Sequence, residues 1–107
     1  MQIYPVRTSH RKNLTAGALA EILRSHFDGV AVDGESVTAR WGAIDRLVVR
    51  PAGRELGIEL TMNPQVPEEV ARETIGRYNR FLEETTGFSA KERARRLRKS
   101  ASAPAGA

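Results

Sequence analysis

The stretch Val30-Ala-Val-Asp-Gly-Glu-Ser-Val-Thr-Ala-Arg-Trp41 sets an Asp33-Gly34 pair between two runs of period two. Asp-Gly is a strong signal for a two-residue hairpin, because both positions tolerate positive φ. A turn there sets Val32 opposite Glu35 and Val30 opposite Val37. Val37, Ala39 and Trp41 then continue one inward face, and Ser36, Thr38 and Arg40 take the other. An antiparallel sheet is the expectation.

Working outward, the next turn falls at Gly42-Ala43, after which Leu47 and Val49 carry the inward face. A Pro51-Ala-Gly-Arg54 loop would put Val49 opposite Leu56 and Leu47 opposite Ile58. The other face would then pair Arg50 with Glu55 and Arg46 with Glu59. Both faces agree on this register, which predicts a self-neutralised outer surface. No aromatics cluster on it, so stacking of RNA bases on the sheet is discounted.

On the other side, Asp28-Gly29 reads as the end of a helix whose apolar positions are Leu19, Ile22, Leu23 and Phe27, with Asn13 or Thr15 as N-cap. Before it, Ile3–Val6 reads as a short strand that Pro5 pushes towards a sheet edge. Beyond Met62, Pro67 suits a first helical position. The helix it opens runs to about Thr85, with Val70, Ala71, Thr74, Ile75, Tyr78, Phe81 and Leu82 on one arc. Gly76 lies outside that arc, at a cost of about 1 kcal/mol relative to Ala, with no evident reason. Gly87 supplies a C-terminal stop and Phe88 an anchor.

The chain's charge is concentrated in SAKERARRLRK, residues 89–99. Ser89 and Glu92 form an S-x-x-E capping box, so a helix is predicted over 90–99. Its apolar stripe is only Ala90, Ala94 and Leu97, with Lys91, Arg93, Arg95, Arg96, Arg98 and Lys99 around it. Like charges at Lys91/Arg95 and Arg95/Lys99 each disfavour the helix by about 0.2–0.5 kcal/mol, so Leu97 is expected to dock on the body. From Ser89 onward the net charge is +5; everything before it is net −1. Such an asymmetry reads as a solvated, partly frayed helix with no partner, as one neutralised by Glu83 and Glu84, or as a surface for a polyanion.

A second basic cluster, Arg7, Arg11 and Lys12, precedes the first helix. That is the wrong sign for a helix start, whose dipole favours acidic residues. An anion held there by free amides and side chains is one explanation; cheap solvent-exposed cations are the other.

At 107 residues and 40% hydrophobic, the composition fits one domain over 1–99 with a disordered tail, SASAPAGA, at 100–107. No cysteine is present, which excludes disulfides, thiolate zinc sites and cysteine nucleophiles. No apolar leader or membrane-length segment is seen, and a cytoplasmic location is the expectation. Two histidines, His10 and His26, do not make a metal site; His26 reads as a partly buried helix-end residue. No nucleophile elbow, Walker loop or dinucleotide fingerprint occurs. Neither Asp33/Glu35 nor Glu55/Glu59 resembles an acid/base dyad. The chain is therefore read as non-enzymatic, without cofactor or metal. Trp41 and Tyr78 share parity or arc with core positions and are assigned to the core.

The resulting class is α+β, a two-layer sandwich of about five antiparallel strands with helices on one face, in the order β-α-β-β-β-β-α-α. In element order, size and basic end, over Ile3 to Lys99, the chain resembles a small archaeal family of proteins of uncharacterised function, with a TATA-binding-protein-like fold and an extra C-terminal helix. That resemblance implies an antiparallel sheet covered on one face and binding of DNA or another anion. It supplies no catalytic residues, and the sheet lacks the Phe wedges that kink a minor groove.

The functional expectation is a nucleic-acid-binding protein with low sequence specificity. Phosphate contacts would come from Lys91, Arg93, Arg95, Arg96, Arg98 and Lys99, aided by Arg7, Arg11 and Lys12. The alternative is an adaptor or homo-oligomer that docks the basic helix on an acidic protein surface. Membrane binding is disfavoured, since the helix has no large apolar side.

Overall fold

The structure is a computed structural model and describes residues 2–95. Strand β1 (Gln2–Pro5) leads through a 3-10 helix (Thr8–Asn13) to helix α1 (Ala16–His26). Strands β2 (Asp28–Asp33), β3 (Ser36–Trp41), β4 (Ile44–Ala52) and β5 (Glu55–Met62) come next, and then helix α2 (Glu68–Thr86). A last helix, α3, covers 90–95. The five strands form one antiparallel sheet in the order β1-β5-β4-β3-β2. β1 is thus an edge strand, where Pro5 is tolerated. The α+β class, the antiparallel sheet and the element order agree with the sequence reading. Arg96, Leu97, Arg98, Lys99 and the tail 100–107 lie outside the described residues.

The core lies between the inward sheet face and the two long helices. Leu19 and Leu23 of α1 and Phe81 and Leu82 of α2 meet Val37, Leu47, Val49, Leu56 and Ile58 of the sheet, all essentially inaccessible to solvent. Thr15 caps α1, its hydroxyl accepting from the Ala18 amide at 3.1 Å. Gly87 ends α2 in the left-handed conformation, with φ +79°.

Both hairpin registers differ from the expectation by two residues. Val32, not Val30, faces Val37, and Val49 faces Ile58 instead of Leu56. The turns are Gly34-Glu35 and Gly53-Arg54, with φ +62° and +66° at the glycines and no non-glycine at positive φ among the described residues. Placing the glycine first needs only one positive φ, whereas the Asp33-Gly34 alternative asks Asp33 to adopt one as well. A shift of two preserves side-chain parity, so the predicted core survives while the predicted cross-strand partners do not. Arg46 faces Thr61 and Arg50 faces Gly57. Among the described residues no ion pair joins Arg46 to Glu59 or Arg50 to Glu55.

Two further expectations need correction. Asp28 and Gly29 do not end α1; they already belong to β2, where Gly29, at φ +63°, serves a bulge between Asp28 and Ala31. Ile75 is 53% exposed, because the buried stripe of α2 is narrower than its apolar arc and centres on Thr74, Phe81, Leu82 and Thr85. Thr74 offsets the cost of its burial through two hydrogen bonds: its hydroxyl donates to the Val70 carbonyl at 2.6 Å and accepts from the Ala43 amide at 3.0 Å. That contact pins α2 to the β3–β4 turn.

Candidate nucleic-acid interface

Pro67 stands at the N-cap of α2; the other end of that helix is built by residues far away in sequence. The last carbonyls of an α-helix have no partner within it. Here the Arg7 amide donates to the Thr86 carbonyl at 2.8 Å, and the Asn13 side-chain amide donates to the Thr85 carbonyl at 3.2 Å. Arg7 Nε donates to the Gly87 carbonyl at 2.7 Å. The segment 7–13 therefore clasps the C-terminal end of α2, where the helix dipole is negative and cations are favoured. This accounts for Arg7 among the three cations that looked misplaced at the start of α1.

Arg7 also reaches the last helix. Its Nη2 forms an ion pair with Glu92 Oε2 at 2.8 Å, and its guanidinium lies 4.5 Å from the centroid of the Phe88 ring. Glu92 completes the predicted capping box: its Oε1 accepts from the Ser89 amide at 3.2 Å, and the Glu92 amide donates to Ser89 Oγ at 3.3 Å. Approach at this junction is close. A Cβ on Gly87 would stand 2.7 Å from His10 Nδ1 and 2.8 Å from Arg7 Cδ.

The basic residues divide into two groups. Lys91, Arg95, Arg11 and Lys12 are exposed, whereas Arg93 is only 3% exposed. Arg93 Nη1 donates to the Phe88 carbonyl at 2.6 Å and Nη2 to Asn79 Oδ1 at 3.0 Å. Arg93 was expected to contact phosphate; it instead faces the body and docks α3 on α2. Burial holds its guanidinium below the ordinary value, opposed by Tyr4, Tyr78 and Glu83, and it stays charged. The expected stripe is inverted, since Ala90 and Ala94 are exposed. Beside this junction an open cleft of about 590 Å³ is lined by Pro5, Val6, Arg7, Thr8, Ser9, Arg11 and Phe88. It offers two guanidinium groups and two hydroxyls, donors suited to an anion.

The sequence model of a domain of unknown function, DUF5611, matches residues 1–99. The chain belongs to the DUF5611 family. A solved relative in shape is a hypothetical protein, TA0095, from Thermoplasma acidophilum, determined in solution by NMR. It is 26% identical, with a TM-score of 0.66, over 91% of this chain and 97% of that one. No curated protein matches the chain. The DUF5611 match runs through Lys99, so the basic segment is part of the family's domain, and the SASAPAGA tail is not.

Elsewhere in this DUF5611 chain, polar residues hold elements together. His26 Nε2 lies 2.6 Å from Glu84 Oε2, with its ring near Phe27 and Phe81. Glu84 is therefore engaged by α1. Trp41 is half-buried against the core and covered by the Arg77 guanidinium at 4.1 Å, while Arg77 Nη1 donates to the His26 carbonyl at 2.9 Å. Tyr78 is half-buried; burial, then Tyr4, pushes its phenol far above the ordinary value of about 10. Among the described residues no group of three or more His, Asp or Glu side chains is placed to hold a metal. No helix among them is long and apolar enough to cross a membrane.

The sequence reading missed the Arg7–Glu92 bridge and the Arg93–Asn79 contact. One signal for the second was available: Asn79 is a polar residue next to Tyr78 of the apolar arc, and such groups need partners when buried.

Proposed function

We propose that this chain is a non-enzymatic nucleic-acid-binding protein that engages phosphates through one basic surface. Arg11 and Lys12 contribute from the 3-10 helix, Lys91 and Arg95 from α3, and Arg7 lies between them; Arg96, Arg98 and Lys99 extend the set in sequence. The observation that carries this reading is the Arg7 bridge, which joins basic clusters some eighty positions apart. Concentration of the surplus charge at one end of the chain supports it too. Contacts of this kind carry little sequence information and release counterions, so binding is weakly specific and steeply salt-dependent. DNA is the first ligand to test. The same reading takes the fold as TATA-binding-protein-like, without Phe wedges on the open sheet face, and the location as cytoplasmic.

A second reading has one observation in its favour: Ile75, 53% exposed on α2, is an apolar contact for a protein partner whose acidic surface takes the basic helix. Fluorescence anisotropy with duplex DNA, single-stranded DNA and RNA at several salt concentrations separates the two. Log affinity falling linearly with log salt supports the first. No binding at low salt, with a nuclease-insensitive protein complex instead, supports the second.

A further inference from the structure

We infer that Glu92 is a resident competitor for the anion subsite of Arg7, and that a bound phosphate displaces it. The inference rests on the nucleic-acid reading and adds the residue that sets its affinity. Arg7 is a fixed donor: Nε is held by the Gly87 carbonyl, the guanidinium lies against Phe88, and Nη2 meets Glu92 Oε2. A guanidinium recognises carboxylate and phosphate by the same planar fork, so the two anions compete for it. The cleft that Arg7 and Phe88 share with Thr8, Ser9 and Arg11 gives a phosphate its other donors.

Glu92 is suited to yielding. Arg7 and Glu92 side chains are 44% and 40% exposed, which limits the strength of their pair. Glu92 Oε1 is separately held by the Ser89 amide, so releasing Oε2 leaves the capping box in place. Glutamine serves equally well in a capping box. Glu92→Gln therefore removes the competing charge and keeps the helix start.

The test compares binding of a labelled mixed-sequence single-stranded DNA oligonucleotide to the wild type, E92Q, and E35Q, which removes a carboxylate at the Gly34-Glu35 turn. R7Q and R7Q/E92Q complete a double-mutant cycle, with melting temperatures confirming that each variant folds. E92Q is expected to bind about two- to fivefold tighter than the wild type, the factor matching a half-exposed ion pair. Its salt slope should stay close to that of the wild type, because the phosphate reaches Arg7 in both complexes. In the R7Q background the gain should vanish. E92Q binding no tighter than E35Q, or a gain that persists without Arg7, overturns this inference and leaves the nucleic-acid reading standing. Failure of every protein to bind at low salt overturns both.

Discussion

Arg7 Nη2 and Glu92 Oε2, 85 positions apart in sequence, meet at 2.8 Å, and through this bond the N-terminal basic segment and the C-terminal helix become one structural unit. Arg7 simultaneously covers the Gly87 carbonyl and Phe88. Neutralising Arg7 should therefore loosen α3 while the sheet stays intact. In R7Q, amide hydrogen exchange is expected to accelerate across 88–95 and to remain unchanged in β3 and β4; uniform acceleration would mean that Arg7 holds the whole fold.

Arg93 and Arg95, two residues apart, should behave oppositely. Arg93→Ala strips charged hydrogen bonds from Phe88 and Asn79, each of a kind worth about 1.5–3 kcal/mol. Arg95 is exposed, and Arg95→Ala should alter stability by less than about 0.5 kcal/mol while weakening oligonucleotide binding. Chemical denaturation and anisotropy on both variants check this, and equal effects on stability would refute the assignment.

Thr74→Val keeps side-chain volume but leaves the buried Ala43 amide without its acceptor. A loss of about 1–3 kcal/mol is expected. At about 4–8 °C per kcal/mol for a domain of this size, the melting temperature should fall visibly. A melting temperature within about 2 °C of wild type would show that the Thr74 bond contributes nothing.

The phenol of Tyr78 is raised, so its neutral form is favoured in the folded state. The stability this provides is complete below the unfolded value of about 10 and is lost as pH rises beyond it, at about 1.4 kcal/mol per pH unit. Denaturation midpoints should thus drop more steeply above pH 10 in wild type than in Tyr78→Phe. Parallel slopes would contradict it.

Parity and period made the core legible in the sequence. Val37, Leu47, Val49, Leu56 and Ile58 are assigned to it by alternation, and a two-residue register shift cannot move them to the other face. The same shift dissolves the Arg46–Glu59 and Arg50–Glu55 pairs, because cross-strand partners depend on the turn, and the turn depends on which residue takes positive φ. The capping box at Ser89 is legible because it is local. Arg93 is not. Periodicity identifies an apolar stripe, here Ala90 and Ala94, but two small side chains bury little, and the better-buried contact comes from a guanidinium with a carbonyl and an amide to meet. The meeting of residues 7–13 with residues 84–92 is a tertiary fact that no local pattern encodes.

The most direct test of a single basic surface is the salt dependence of DNA binding in two paired variants, Arg11→Ala/Lys12→Ala and Lys91→Ala/Arg95→Ala, with their fourfold combination. If both clusters touch one duplex, each pair should lower the slope of log affinity against log salt by up to about 1.8, and the fourfold variant by the sum. A slope unchanged by either pair, or a wild type that does not bind duplex DNA at low salt, would contradict the account.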